Sequence, residues 1–187
     1  MPSSGDVEVA VPVASAPVQE APPAPSRRID PSVAPAIMSQ TFEDASPECN
    51  DWAAAGATSI RSVPSHSGDY ACKLCATGDQ TSFSLARALG KSLEPGHYAF
   101  RAWIRTRPLA PSPNGVNVVL EAETNAGTVG ATQTAAVADE WTRIDVALDL
   151  NDAASGIRAR IEAPAGETDQ PCILVDDVTV VQTSRDE

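Results

Sequence analysis

The fold of this chain is decided by residues 172–181, which read CILVDDVTVV. The stretch is rich in β-branched residues and follows proline- and glycine-containing sequence, so it predicts a strand. Two adjacent carboxylates, Asp176 and Asp177, interrupt it. Neighbouring side chains of a strand point to opposite faces, so one carboxylate must lie on the packed side or at a sheet edge. Because a buried carboxylate costs free energy unless it is paired, hydrogen-bonded or bound to a cation, this stretch predicts a specific partner.

The rest of the domain also has the sequence pattern of β-strands. Apolar and polar residues alternate in segments such as 116–123 and 157–163, and turn signals such as Pro95-Gly96 separate the segments. Nine or ten short strands are predicted and no helix, since the Ala- and Gly-rich residues 53–57 are too few to nucleate one. This pattern predicts an all-β sandwich or barrel.

The composition excludes some classes of partner. The chain has 187 residues and a formal net charge of −12. Nucleic acids and anionic membrane surfaces need basic patches, so neither is expected as a partner. No apolar run approaches the roughly 18 to 20 residues of a membrane span. No charged-then-apolar signal sequence follows Met1, so we expect any export signal to have been removed.

Three regions are predicted: a tether over residues 1–36, a β-sandwich over 37–182 and a polar tail over 183–187. Half of all the prolines fall in the tether, which therefore predicts a semi-rigid polyproline-like linker. Valines alternate with other residues from Val7 to Val13. That pattern is open to two interpretations: chance in a biased sequence, or a strand that adds to the sheet edge of a neighbouring subunit.

The four cysteines predict an oxidising compartment. Cys72 and Cys75 have an odd spacing, which on a strand sends their sulfurs to opposite faces and disfavours a bond between them. Two pairings then remain open: Cys49 with Cys72 and Cys75 with Cys172, or the crossed arrangement. A four-cysteine zinc site is the alternative, although such a site usually has a second close pair.

The order of several motifs indicates a family. In chain order they are Phe42-Glu43, Trp52, Ser67-Gly68-x-Tyr70-Ala71, Leu93-x-Pro95-Gly96-x-Tyr98-x-Phe100-x-Ala102-Trp103, Glu140-Trp141 and Val175-Asp176-Asp177-Val178. Together they resemble a carbohydrate-binding module of the xylan- and glucan-binding jelly-roll type, within the galactose-binding-like superfamily. The resemblance covers residues 37–182 and implies a two-sheet jelly roll.

The same resemblance implies a structural calcium ion, held by Glu43 and by Asp176 or Asp177. Carboxylate oxygens with backbone carbonyls near residues 69–73 would suit Ca²⁺. Of the two aspartates Asp176 is preferred, as the one that shares a face with Val178 and Val180. The alternative is that one aspartate caps a turn or pairs with Arg61 or Arg101.

A sugar ligand would need exposed aromatic rings or polar groups. Trp52, Trp103 and Trp141 match positions that look like core anchors, which leaves few aromatics for binding. The candidate ligand-binding residues are therefore Tyr70, Tyr98, Asn117 and Glu121.

Two classes of function are predicted, and neither is enzymatic. Glu121 and Glu123 share a strand face at roughly 7 Å, a spacing that occurs in glycosidases, but a solvated acidic edge explains them. The first class is a non-catalytic extracellular or cell-surface domain that binds a polysaccharide or surface glycan, or mediates adhesion. The second is a structural subunit of a surface assembly or filament, which self-associates through its N-terminal segment.

Overall fold

The computed structural model describes residues 36–43, 48–49, 51–107, 113–165 and 170–183. These residues form eleven strands, and every strand pair among them is antiparallel. The strands are β1 (Ala36–Gln40), β2 (Ala53–Ala55), β3 (Ala57–Ser62), β4 (Ala71–Ala76), β5 (Ser82–Leu89), β6 (Gly96–Thr106), β7 (Val116–Thr124), β8 (Gly127–Ala135), β9 (Thr142–Leu150), β10 (Ala154–Pro164) and β11 (Cys172–Thr183). The tether and the valine alternation at residues 7–13 lie outside the described residues.

The strands form two sheets, which confirms the predicted all-β sandwich. The six-stranded sheet has the order β3-β4-β11-β6-β9, with β1 also paired to β11. The five-stranded sheet has the order β2-β5-β10-β7-β8. No helix within the described ranges has the length and apolarity to cross a membrane.

Alternation along the strands builds one core between the sheets. In β9 every second residue from Ile144 to Leu150 is buried, while the residues between them are exposed. Phe42, Trp52 and Phe100 pack together at its centre, with ring centroids 6.4 and 6.5 Å apart. Trp52 is therefore the core anchor that the sequence predicts. Removing such apolar surface from water is the main stabilising contribution to a sandwich of this kind.

The sequence pattern does not predict two of the strands, β2 and β8. Strand β2 has only three alanines, too few for a periodic pattern to appear. Strand β8 reads GTVGATQTA, and most of its residues are exposed on both sides. Its edge position removes the alternation between apolar and polar residues by which a half-buried strand is recognised.

The cysteines form two disulfide bonds, and each bond includes one cysteine of β4. Cys49 bonds to Cys72, and Cys75 bonds to Cys172. No cysteine is free, which excludes the zinc alternative and selects the first of the two predicted pairings. The odd spacing acts as expected, because Cys72 and Cys75 lie on opposite faces of β4.

A bulge in β11 resolves the conflict between the two adjacent carboxylates. The register to β6 shifts between Asp176, which pairs with Trp103, and Thr179, which pairs with Arg101. Asp177 has a φ of 45°, in the left-handed region that non-glycine residues seldom adopt. The expectation that Asp176 shares a face with Val178 and Val180 is therefore wrong. Asp176 lies on the outer face of the sheet, whereas Val180 pairs with the core residue Phe100.

Candidate functional site

The buried carboxylate of β11 holds a loop across the outer face of the six-stranded sheet. Asp176 is fully buried, and its Oδ2 accepts hydrogen bonds from the backbone N–H groups of His66 at 2.8 Å and Ser67 at 3.1 Å. Its Oδ1 accepts the N–H of Asp177 at 2.8 Å. Asp177 bonds the same loop through its own carboxylate, at 2.6 Å from His66 Nδ1 and 2.7 Å from Ser67 Oγ. The bulge thus lets both aspartates bind one loop.

Glu43 holds the other end of that loop. Its Oε1 accepts the backbone N–H groups of Asp69 at 3.0 Å and Tyr70 at 2.9 Å. Gly68 passes so close that an added Cβ would lie 2.5 Å from Glu43 Oε1, and its φ is +63°. Glycine is therefore required here both for the backbone conformation and for the close approach.

These bonds bear on the predicted calcium ligands. Glu43, Asp176 and Asp177 meet the same loop, as the resemblance implies, but the groups facing Glu43 and Asp176 are N–H donors. Calcium takes oxygen ligands. Within the described residues no group of three His, Cys, Asp or Glu side chains is arranged to hold a metal ion. The turn-capping alternative accounts for the geometry seen, and calcium binding stays a prediction.

Burial raises the pKa of Asp176 above its ordinary range, since desolvation penalises the charged carboxylate. The hydrogen bonds from Ser67, Asp177 and His66 oppose that effect, and the negative charge of Asp177 adds to it. The burial cost outweighs the three N–H donors. The Asp176 carboxylate is therefore a buried anchor that accepts three N–H groups.

The same outer sheet face has three rings and one guanidinium group close together, here called the aromatic face. Its residues are His66, Trp103, Trp141 and Arg105. The His66 ring stacks on Trp103 with centroids 3.8 Å apart, and Trp141 meets His66 edge-on at 5.7 Å. The Arg105 guanidinium lies 5.7 Å over the Trp141 ring. Trp103 and Trp141 are half-buried on this face, so their interpretation as core anchors is wrong.

The two candidate tyrosines have different positions. Tyr98 is only 1% exposed, and its hydroxyl donates to the Glu94 carbonyl at 2.6 Å. It is a core residue without a ring face for a ligand, contrary to the prediction. Tyr70 is 38% exposed, but the Arg61 guanidinium covers its ring at 4.4 Å from the centroid.

The two polar candidates lie together on the outer face of the five-stranded sheet, here called the polar face: Asn117, Glu121, Thr134, Arg160 and Glu162. In the strand register Asn117 lies opposite both Thr134 and Glu162, and Glu121 lies opposite Arg158. The Thr134 hydroxyl donates to Asn117 Oδ1 at 2.7 Å. Arg160 holds two carboxylates, at 3.2 Å from Glu121 Oε1 and 2.5 Å from Glu162 Oε2.

A shallow hollow of about 270 Å³ opens at one end of the polar face. Asn117, Thr134, Glu162 and Ser82 contribute to its lining. A second hollow lies near the other end, lined by residues that include Glu121, Glu123 and Arg158. Both hollows lie over β10 and its neighbours, and their linings contain no aromatic residue within the part of the chain that the structure describes.

Sequence reasoning missed His66, Thr134, Arg160 and Glu162. The alternation in β10 predicts that Arg160 and Glu162 lie on the solvent side. What the sequence lacked was the strand register, which sets Glu162 beside Asn117. His66 reaches Asp177 across 111 residues, and no local pattern predicts such a contact.

No protein-family model matches the sequence, and no curated protein matches it. The structure is similar to the CBM22-1 xylan-binding domain from Paenibacillus barcinonensis Xyn10C, with a TM-score of 0.64 and 13% identity over 81% of this chain and 96% of that domain. It is also similar to the C-terminal family 22 carbohydrate-binding module of Clostridium thermocellum Xyn10B, with a TM-score of 0.56 and 15% identity over 82% and 98% of the two chains.

A third similar structure is TmCBM61, solved in complex with beta-1,4-galactotriose. Its TM-score is 0.52 and its identity 16%, over 77% of this chain and 99% of that module. Identities this low establish shared architecture and leave the ligand of this chain open. The chain therefore has the two-sheet jelly-roll fold of carbohydrate-binding modules, as its motifs predict.

Proposed function

We propose that this chain is a non-catalytic glycan-binding domain and that the polar face is its binding surface. The observation behind the proposal is the hollow at Asn117, Thr134 and Glu162, where an amide, a hydroxyl and a carboxylate converge on one opening. Sugar hydroxyls both donate and accept hydrogen bonds, and this mixture of groups suits both roles. The carbohydrate-binding modules with the same fold support this class of ligand.

The carboxylate of Glu162 is held in place before any ligand arrives. Arg160 binds it at 2.5 Å and binds Glu121 on the other side at 3.2 Å. A side chain that is already oriented loses less conformational entropy when it binds a ligand. Arg160 thus acts as a support that presents two carboxylates toward solvent.

The aromatic face is the less suitable surface, although it has more rings. A sugar stacks on an open ring face. On this face His66 covers Trp103, and Arg105 lies over Trp141. These rings therefore bind groups of their own chain. Glycan binding on the polar face would depend mainly on hydrogen bonds and would be modest in affinity.

We also propose an extracellular or cell-surface location, with adhesion as one use of the binding. Two disulfide bonds and no free cysteine fit an oxidising compartment. A calcium ion beside Glu43 and Asp176 belongs to the same proposal. The rival function, a subunit that docks through its N-terminal segment, depends on residues outside those described.

The test is affinity electrophoresis of the full chain in gels containing soluble xylan, mixed-linkage β-glucan or β-1,4-galactan. We expect retardation by at least one polysaccharide. Glu162→Gln should weaken it about 10-fold or more, because a hydrogen bond to a charged group contributes about 1.5–3 kcal/mol.

The matched control is Glu140→Gln, which removes the same charge from an exposed residue outside the hollow. Migration of this variant should equal that of the wild type. Failure of the wild type to bind any of the polysaccharides would contradict the proposed function. Equal binding by Glu162→Gln would place the ligand on another surface.

A further inference from the structure

Among the described residues the two sheets end on five strands, because β1 pairs only with β11, and four of the five are poorly suited to accept another strand. Strands β1 and β2 are short, with five and three residues. Strand β3 contains Arg61 and runs into Pro64, and β9 places Arg143, Asp145 and Asp149 along its outer face. Short length, charge and proline are the features that protect sheet edges from pairing with another chain.

The fifth edge, β8, is longer than β1 and β2, and its nine residues include neither charge nor proline. It pairs with β7 from Gly127 to Ala135 without a register shift, so no bulge turns it away. Val129, on this strand, is one of few large apolar residues that are exposed among those described, at 37%. Of the three described strands without a charged residue, β8 is the longest.

The turn before β8 determines which of its groups are free. Two residues, Asn125 and Ala126, separate the paired residues Thr124 and Gly127. In such a hairpin the closing pair is hydrogen-bonded, and bonded pairs alternate from there. The N–H and C=O groups of the intervening residues point away from β7. They are those of Thr128, Gly130, Thr132 and Thr134.

We propose that β8 is the docking edge for β8 of a second copy of this chain, in an antiparallel pair across a two-fold axis at Ala131. This register sets Thr132 opposite Gly130 of the partner and Thr128 opposite Thr134, so small side chains meet. Every outward N–H then faces an outward C=O. The edge is where two acidic chains can approach without placing like charges in contact.

The dimer does not depend on glycan binding, but it would bring two of the proposed binding surfaces together. The two five-stranded sheets become one continuous sheet, and the two polar faces lie side by side. A ligand long enough to span both would bind them with increased avidity. One strand pair buries little surface, so the dimer should be weak, with a Kd on the order of 10–100 µM.

Sedimentation equilibrium of the full chain tests this without any glycan. The weight-average mass should rise from 19.4 kDa toward twice that value between about 5 and 500 µM. Thr132→Pro removes one outward N–H, which an edge strand tolerates, and should hold the mass at that of one chain. Thr132→Val keeps the N–H and should associate like the wild type.

Circular dichroism melts of both variants establish that each remains folded. A single-chain mass for the wild type at all concentrations would overturn the proposal, as would unchanged association of a folded Thr132→Pro. A third variant, Val9→Asp with Val11→Asp, should associate normally. Loss of its dimer would overturn the proposal by making the N-terminal segment the occupant.

Discussion

The outer faces of the two sheets differ in what their side chains bind. On the six-stranded sheet, two tryptophans and two aspartates bind a loop of their own chain, the tryptophans through the ring of His66. On the five-stranded sheet, an amide, a hydroxyl and two carboxylates stand around open hollows. The face richer in aromatic residues is thus the occupied one. Counting aromatics would select the wrong surface, because a ring already covered by the protein cannot stack on a sugar.

The comparison makes distinct predictions for the two faces. Changes on the six-stranded sheet should reduce stability and leave glycan binding intact as long as the domain folds. Changes on the polar face should do the reverse. The following experiments test that separation, beginning with the largest expected effect.

Removing the Cys75–Cys172 bond should have the largest effect. Its partners are 97 residues apart, and a loop of that length constrains the unfolded chain by about 4.7 kcal/mol in the entropic model. We expect the double variant Cys75→Ser with Cys172→Ser to lose free energy of unfolding on this scale in urea titrations. The matched pair Cys49→Ser with Cys72→Ser spans 23 residues and should lose less, about 3.4 kcal/mol. The reverse order would contradict the loop argument.

Asp176→Ala should lower the free energy of unfolding by about 3 kcal/mol. The substitution leaves the N–H groups of His66, Ser67 and Asp177 without their acceptor in a buried site. Chemical denaturation gives the measurement, and Asp152→Ala in an exposed turn is the control. A loss no larger than that of the control would mean that the loop does not depend on this carboxylate.

Trp103→Ala gives the most direct comparison of the two faces. Loss of the His66 stack should cost about 2 kcal/mol, less than a fully buried tryptophan would. Retardation in polysaccharide gels should stay at the wild-type value. Glu162→Gln should show the opposite result, with weakened retardation and a free energy of unfolding within about 0.5 kcal/mol of the wild type. Loss of glycan binding in folded Trp103→Ala would place the ligand on the aromatic face.

Chelation tests the calcium prediction. A bound ion would stabilise the native state by about 2.7 kcal/mol at 100 times its Kd. The melting temperature should then fall by several degrees when EDTA replaces calcium, and Glu43→Gln should abolish the difference. An unchanged melting temperature would leave the hydrogen bonds of Glu43 and Asp176 as the full explanation of the loop.

The smallest effect concerns pH. The folded pKa of Asp176 lies above its ordinary value of 3.8, so the folded chain binds this proton more tightly than the unfolded chain. The contribution of Asp176 is therefore greatest below the unfolded pKa and declines as pH rises through the folded pKa. Asp176→Asn cannot titrate. The free energy of unfolding of the wild type, minus that of the variant, should therefore increase as pH falls from 7 toward 4. A decrease in this difference would contradict the assigned direction.

Local alternation was enough to predict most of the fold. Half-buried strands such as β9 and β10 show their period in the sequence. The same alternation, counted from the buried Phe100, places Trp103 on the outer face of the sheet. For the disulfide bonds the sequence leaves two possible pairings. The spatial arrangement of the strands is needed to choose Cys49 with Cys72.

The candidate site was less predictable, for two physical reasons. Bulges depend on one residue adopting an unusual φ, and nothing in the sequence around Asp177 requires it. The convergence of Asn117 with Glu162 depends on the register between β7 and β10, which is a property of the whole sheet. Both features arise from long-range pairing, which a strand's own sequence does not specify.

The two disulfide bonds also determine how the domain would respond to a mechanical load on its chain ends. Tension entering at β1 passes from Cys49 to Cys72, along β4 to Cys75, and from there to Cys172 and β11. Strand β2 lies within the first covalent loop, and β5, β7, β8 and β10 lie within the second. The entire five-stranded sheet is therefore outside the force-bearing path. A domain pulled by its two ends would keep its polar face unloaded while the bonds remain intact.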